Sequence, residues 1–296
     1  MESDGRKTGV QRDRAWIDRE YGLEKWPAVL KQVQSWIAEG ETQLSRLVGR
    51  INAWETGGGD FSLTSVVIAG RRVAMPELLA YSGFYTLVRE SLLEACRRDA
   101  PELIVEMGSG WGRNLLDLWC AGGPAAARYI ALEYTAAGRE CARSLAALAP
   151  ELAFDVHPFD FYRPDFAPVA RGGRALVYTV FGIDQIPHIG RPVFEACLGL
   201  ADEVTGIHLE PTGWQMAAAD PDLTGGGEGS SEAYAARHDY NRNLWPVLTA
   251  LAGEGRIVIE EVRADLYGAN PENAASYVRW RKCRRGPSPF PQMTNG

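Results

Sequence analysis

A chain of 296 residues, 46% hydrophobic and 23% charged, lies in the ordinary globular range and is long enough to bury a large core in one domain with an extension. It contains no run of about eighteen apolar residues and starts on the charged stretch Met1-Glu2-Ser3-Asp4-Gly5-Arg6-Lys7, so neither a membrane span nor a secretory leader is expected, and the expected location is cytoplasmic. The formal net charge of -7 speaks against nucleic acid as a partner, because affinity for a phosphate backbone rests on a basic surface.

In chain order, roughly the first fifteen residues are polar and should fray. Trp26, Leu30, Val33 and Ile37 share one helical face after Pro27, a favoured first-turn residue, and Gly40 ends the run. Leu44, Leu47, Ile51 and Trp54 form a second stripe, stopped by Gly57-Gly58-Gly59. Short β-like runs over Phe61 to Ile68 and near Val73 flank a turn at Ala69-Gly70-Arg71-Arg72. A longer helix is expected from Pro76 to Arg98, carrying Tyr81, Phe84 and Tyr85, whose spacing fits either a lid over a ligand or a helix core.

Beyond residue 100, β-rich runs alternate with helical stretches, the pattern of a parallel sheet with helices on its faces. Strands are expected at Leu103 to Met107, Ala127 to Glu133, Leu152 to His157, Ala175 to Val180, Val204 to Glu210, Arg256 to Val262 and Ser276 to Lys282. Helices should begin near Gly112, Thr135, Pro187 and Ser231. The expected organisation is a helical and hairpin extension over residues 1–100 that covers a ligand, a doubly wound sheet domain over 101–285, and a flexible tail over 286–296. The stretch Pro211 to Ser230 is too long for a simple connection, and such loops are usually functional or mobile. Arg279, Arg281, Lys282, Arg284 and Arg285 read as a solvated strand edge. Cys96, Cys120, Cys141, Cys197 and Cys283 form no CxxC pair and have no histidine at ligand spacing, so free thiols and no metal site are expected.

Chemistry concentrates where the apolar run Leu103-Ile104-Val105-Glu106-Met107 meets Gly108-Ser109-Gly110-Trp111-Gly112, followed by a helical stretch. Glycines let the chain reverse tightly and bring backbone against a ligand, while the free N–H groups of the following helix offer donors. Glu133 ends the next strand, 133 − 112 = 21 residues after Gly112, where a doubly wound fold places an acceptor for both hydroxyls of a ribose. A dinucleotide site would use GxGxxG, but here the third glycine follows two residues after the second. Glu106 before the turn is also unwelcome to a pyrophosphate and welcome to an α-amino group.

Over residues 100–285 the chain resembles the class I S-adenosylmethionine-dependent methyltransferases, through Glu106-Met107-Gly108-Ser109-Gly110-Trp111-Gly112, Glu133 and Asp160-Phe161. The resemblance implies an α/β Rossmann-like methyltransferase fold, a doubly wound seven-stranded mostly parallel sheet whose last two strands form an antiparallel pair connected through Gly268-Ala269-Asn270-Pro271. It implies that Glu106, Gly108, Gly110 and Gly112 approach the methionine part of S-adenosyl-L-methionine, that Glu133 holds the ribose, and that Asp160 and Phe161 meet the adenine, with Asn114 a further contact. The segment Phe181-Gly182-Ile183-Asp184-Gln185-Ile186-Pro187-His188 has no NPPY-like sequence, which departs from enzymes methylating amino groups of bases or glutamine.

Base candidates are His188, at an expected helix start, with Asp184 as its orienter. Glu210, alternating with His208 at a strand end, is a third. His157 and His238 have no supporting neighbours and read as structural. The expected function is methyl transfer to an oxygen or nitrogen of a small-molecule acceptor, with a homodimer as the candidate assembly. Cyclisation or aminocarboxypropyl transfer from the same cofactor, and non-catalytic cofactor binding, are the alternatives.

Overall fold

The computed structural model describes residues 11–57, 59–217 and 231–283. Helix α1 (Arg14–Ile17), a π-helical stretch (Asp18–Lys25) and α2 (Trp26–Ala38) follow one another without a break. Pro27 explains the wide turns: it lacks an N–H and its ring crowds the carbonyl four residues back. An i→i+5 bond, Trp26 N–H to the Tyr21 carbonyl, accommodates it.

The frayed start is corrected over residues 11–15. Arg12 is buried, donating from its backbone N–H to Asp239 (2.9 Å) and from Nε to the His238 carbonyl (2.6 Å). Its guanidinium also bonds Gln185 and stacks between Trp16 (4.2 Å) and Tyr240 (4.5 Å). Apart from Trp16, these partners lie more than 170 positions away, so no local pattern signals them.

Next come α3 (Leu44–Glu55), the hairpin β1 (Leu63–Ile68) and β2 (Arg71–Pro76), and α4 (Glu77–Asp99). Positive φ at both Ala69 (48°) and Gly70 (73°) makes the two-residue turn whose twist suits a hairpin. The turn is held where their N–H groups donate to the carbonyls of Leu266 and Asp265.

The sheet domain continues with β3 (Leu103–Met107), α5 (Arg113–Cys120), β4 (Arg128–Glu133), α6 (Ala136–Ala146), β5 (Phe154–Pro158) and β6 (Gly172–Val180). A 3-10 turn (Ile183–Gln185), α7 (Arg191–Cys197), β7 (Ala201–Glu210), α8 (Gly213–Ala217), α9 (Ser231–Arg237), α10 (Leu244–Gly253), β8 (Ile257–Gly268) and β9 (Ala275–Lys282) complete it.

The strand order is β2-β1-β8-β9-β7-β6-β3-β4-β5. β3 to β7 are parallel, and β9 runs antiparallel between β7 and β8. The seven strands of the sheet domain therefore follow the doubly wound order that the family resemblance implies, including the final antiparallel pair joined through Gly268 to Pro271. Nine strands replace the expected seven because β1 pairs with β8 (Val67 with Gly268, Ile68 with Tyr267), so the hairpin extends the sheet. β8 is also longer than the run Arg256 to Val262, since its polar second half continues into that pairing across irregular register.

Each face of the sheet carries its own core. Ile104, Leu115, Leu145 and Tyr178 pack with α2 to α6 on one side. Val105, Val177, Phe194 and Leu248 pack with α7 and α10 on the other. Strands covered on both faces read as near-continuous apolar runs, which is why β3 and β4 stand out in the sequence.

The solvated-edge expectation for the basic cluster is overturned. β9 is an interior strand, and the buried Arg279 bonds Asp99 (2.7 and 2.9 Å) and Glu260 (3.0 Å). Arg281 pairs with Glu260 at 2.6 Å. Arg284, Arg285, the tail and residues 218–230 of the long loop lie outside the described residues. All five cysteines are free thiols, four of them on α4 to α7. No helix among the described residues is long and apolar enough to cross a membrane.

Candidate functional site

At the carboxyl end of β3 the chain bends through Gly108 (φ +74°), Gly110 (+56°) and Gly112 (+82°), a conformation side chains disfavour. The N–H groups of Gly108 and Ser109 both donate to the Leu132 carbonyl (2.8 and 3.1 Å), tying the bend to the end of β4. Beside it, Glu133 is buried and accepts from Gly110 N–H (2.8 Å), Thr135 N–H (2.8 Å) and the Thr135 hydroxyl (2.7 Å). Burial raises this carboxyl, and the three donors act to lower it.

The bend borders a cavity of about 230 Å³ whose wall includes Glu106, Gly108 to Trp111, Asn114, Glu133, Asp160 and Phe161. Its roof is the N-terminal helix, through Arg14, Ile17, Tyr21, Lys25 and Trp26. Three acidic residues thus stand at the ends of three successive parallel strands around one space, on the side where open α/β sheets bind ligands.

The three glycines do different work. A Cβ on Gly108 would come within 3.3 Å of Phe161 and of the Gly182 backbone, and one on Gly110 within 2.7 Å of the Trp26 ring. Trp26 therefore packs onto the bend while space remains beside it. Gly112 is a correction: its Cβ direction faces Phe154 (3.3 Å) and Ala142 (3.4 Å), it does not line the cavity, and its glycine serves packing under α5.

Glu106 is buried with only neutral partners, Asn114 Nδ2 (2.6 Å) and the Tyr178 hydroxyl (3.3 Å). Burial pushes its carboxyl up to about 8. Asp160 accepts from Tyr162 N–H (2.8 Å) and pairs with Arg14 at 2.5 Å, latching the roof to the rim. Arg113 pairs with Glu55 of α3 and stacks on Tyr85 (4.5 Å), while Trp111 Nε1 donates to the same Glu55 at 3.1 Å.

The three base candidates are not brought to the cavity. His188 is exposed in the segment before α7, which starts at Arg191 rather than near Pro187. Asp184 is buried beneath the wall, accepting from Gln185 Nε2 (2.9 Å), whereas Gln185 and Ile186 themselves face the space. Glu210 accepts the backbone N–H groups of Gly182 (3.0 Å), Ile183 (3.1 Å) and Asp184 (3.1 Å), so its carboxylate anchors the loop after β6. Burial raises Asp184 and Glu210 alike, and Asp184 raises Glu210 further.

His208 lies on the same side of β7 in a buried chain. Trp280 Nε1 donates to its Nε2 (2.9 Å), and its Nδ1 lies 3.0 Å from the Thr179 hydroxyl. Burial pushes this imidazole down to about 3, so it is a neutral core residue. Consequently His188→Ala is expected to leave cofactor affinity and turnover within about twofold, as for an ordinary surface substitution. A tenfold loss in steady-state rate would return His188 to the site.

Of the roof residues, Tyr21 and Lys25 were not named from the sequence and Trp26 was expected only as part of a helix face, although an extension covering the ligand was expected. The aromatic signal is an interval of five: Trp16 meets Tyr21 edge-on at 5.8 Å and Tyr21 meets Trp26 tilted at 5.5 Å, which suits a π-helical turn and escapes a search at helical period. Phe84 on α4 does face the cavity and meets Phe181 edge-on at 5.3 Å, whereas Tyr81 is exposed away from it. Phe181 itself has φ +49°, a strained conformation for an aromatic residue, at the mouth of β6.

Fold and site together define a doubly wound α/β domain with a small-ligand cavity at the carboxyl ends of its parallel strands. No family model and no curated protein matches the chain. Among solved structures it is similar to geranyl diphosphate C-methyltransferase from Streptomyces coelicolor A3(2), solved with Mg2+, geranyl diphosphate and S-adenosyl-L-homocysteine, at 12% identity over 70% of this chain and 82% of that one, with a TM-score of 0.47. It is also similar to the CcbJ methyltransferase from Streptomyces caelestis, at 16% identity over 66% of this chain and 89% of that one, with a TM-score of 0.43.

Proposed function

We propose that this protein is an S-adenosylmethionine-dependent methyltransferase acting on an oxygen or nitrogen of a small molecule. The observation that carries the proposal is the convergence of Glu106, Glu133 and Asp160 on one cavity beside the glycine bend. The residues fit the cofactor. Glu106 lacks a cationic partner that an α-amino group would supply, Glu133 Oε2 has one internal donor and room for a ribose hydroxyl, and Asp160 with Phe161 offers an acceptor and a ring to adenine.

The bound cofactor supplies a methyl group already activated on a sulfonium. What remains for the chain is to exclude water and hold the acceptor in line, roughly 3–3.5 Å from that methyl. The roof from Ile17 to Trp26 closes the cofactor side, and Phe84 with Phe181 forms an apolar wall beside it. With Asp184, His188 and Glu210 off the cavity, the proposal rests on positioning rather than on a base drawn from those three.

Calorimetry with S-adenosylmethionine and product analysis against a pool of small acceptors test the proposal. Binding and release of S-adenosylhomocysteine are expected. Release of methylthioadenosine instead would assign cyclisation or aminocarboxypropyl transfer, and absence of binding would overturn the cofactor itself.

A further inference from the structure

Arg14, Lys25 and Arg113 are the cations on the cavity wall. Arg14 is answered by Asp160 at 2.5 Å and Arg113 by Glu55 of α3. Lys25 is different. Among the described residues its ammonium has no hydrogen-bond or ion-pair partner, and it lies over the rings of Tyr21 (5.4 Å) and Trp26 (4.8 Å), which line the same cavity. Aromatic faces attract a cation without supplying the counter-charge that would neutralise it.

The π-helical stretch presents this side chain to the cavity. With i→i+5 bonding, residues four and five apart share a face, and Ile17, Tyr21, Lys25 and Trp26 all meet the space. Trp26 packs on the glycine bend at Gly110, so Lys25 stands at the bend end of the roof, whereas Arg14 stands at the Asp160 end. The side chain remains accessible. Desolvation still lowers its ammonium, with Glu55 opposing that shift and Arg113 adding to it. The charge of Arg113 also reaches Glu106, which puts Lys25 and Glu106 at the same end of the cavity.

S-adenosylmethionine has a nucleoside at one end and a zwitterion at the other. Asp160 and Phe161 suit the first. At the second, Glu106 suits the ammonium, and the carboxylate beside it calls for a cation that the chain has not already paired. Lys25 is that cation on this wall.

We propose that Lys25 pairs with the α-carboxylate of the cofactor and so fastens the roof to the ligand. The assignment rests on the cofactor reading above and adds a consequence to it: the roof is held only by ligands that carry the amino-acid part.

Calorimetry with S-adenosylhomocysteine, which carries that part, and methylthioadenosine, which keeps the nucleoside and sulfur without it, tests the assignment. Lys25→Met leaves an apolar stem over the rings and removes the charge. It should weaken S-adenosylhomocysteine about tenfold or more and leave methylthioadenosine within about twofold. Amide hydrogen exchange reads the roof itself. In the wild type, saturating S-adenosylhomocysteine should slow exchange over residues 18–26 well beyond saturating methylthioadenosine, and Lys25→Met should abolish the difference. An equal loss for both ligands would make Lys25 a packing residue, and unchanged affinity for S-adenosylhomocysteine would give it to some other anion. Either result, or a roof protected equally by both ligands, would overturn the proposal. A wild type that binds neither ligand fails at the earlier step and overturns the cofactor reading itself.

Discussion

Replacing Glu133 by alanine is expected to lower affinity for S-adenosylmethionine at least about tenfold and to lower the unfolding temperature of the same variant. Hydrogen bonds to a charged acceptor contribute about 1.5–3 kcal/mol each. One ribose hydroxyl on Oε2 therefore accounts for roughly 1.5–3 kcal/mol, and every 1.4 kcal/mol is about tenfold in affinity. The stability loss has a separate origin. Glu133 accepts from Gly110 N–H, Thr135 N–H and the Thr135 hydroxyl, so its removal leaves buried donors without partners, at about 1–3 kcal/mol each.

Thr135→Val separates the two effects. Thr135 caps α6 by accepting from Gly138 N–H (3.2 Å), and losing that cap costs about 1 kcal/mol while the carboxylate of Glu133 remains. Affinity should therefore fall by no more than a few-fold in Thr135→Val. If Glu133→Ala melts early yet binds the cofactor at full strength by calorimetry, Glu133 braces the bend and does nothing more.

The parts of this molecule that sequence made legible are those whose physics is local. A strand buried on both faces is an unbroken apolar run, and a bend at positive φ demands glycine, so β3, the bend and Glu133 stand out together. Gly112 shows the limit of such a pattern. It belongs to the same glycine run, but one turn further along the backbone has rotated it onto Phe154 and Ala142.

Base candidates were less legible because position near a strand end does not say which way a side chain points. Glu210 and His208 sit at the carboxyl end of β7, yet both are absorbed by partners from elsewhere in the chain: the backbone of residues 182–184, Thr179 and Trp280. Arg279 was misjudged for the same reason, its partner Asp99 lying 180 positions away. The roof was hidden by its period, since aromatic residues five apart match neither a strand nor an ordinary helix.

Glu106 couples cofactor binding to pH, and this sets the second large effect. Its carboxyl rises from an ordinary 4.5 to about 8 in the folded chain, because burial disfavours the charge more than the bonds from Asn114 and Tyr178 and the nearby charge of Arg113 favour it. Between those values the folded protein holds a proton that the unfolded chain has released, so the stability contributed by this group falls as pH rises from about 4.5 through 8. Asp184 and Glu210 are raised by burial too and act in the same direction. The protein without ligand should thus melt several degrees higher near pH 5 than near pH 8, and Glu106→Gln should flatten part of that slope by stabilising the high-pH end. An α-amino group placed beside Glu106 favours its ionised form, so cofactor binding near neutral pH should expel a proton. Calorimetric titrations in buffers of different ionisation enthalpy measure that proton directly. Its disappearance in Glu106→Gln, with affinity reduced about tenfold by the lost charge pair, would place the ammonium at this carboxylate. Equal proton release in the two proteins would move the ammonium elsewhere in the cavity and leave Glu106 as a neutral hydrogen-bonding group between Asn114 and Tyr178.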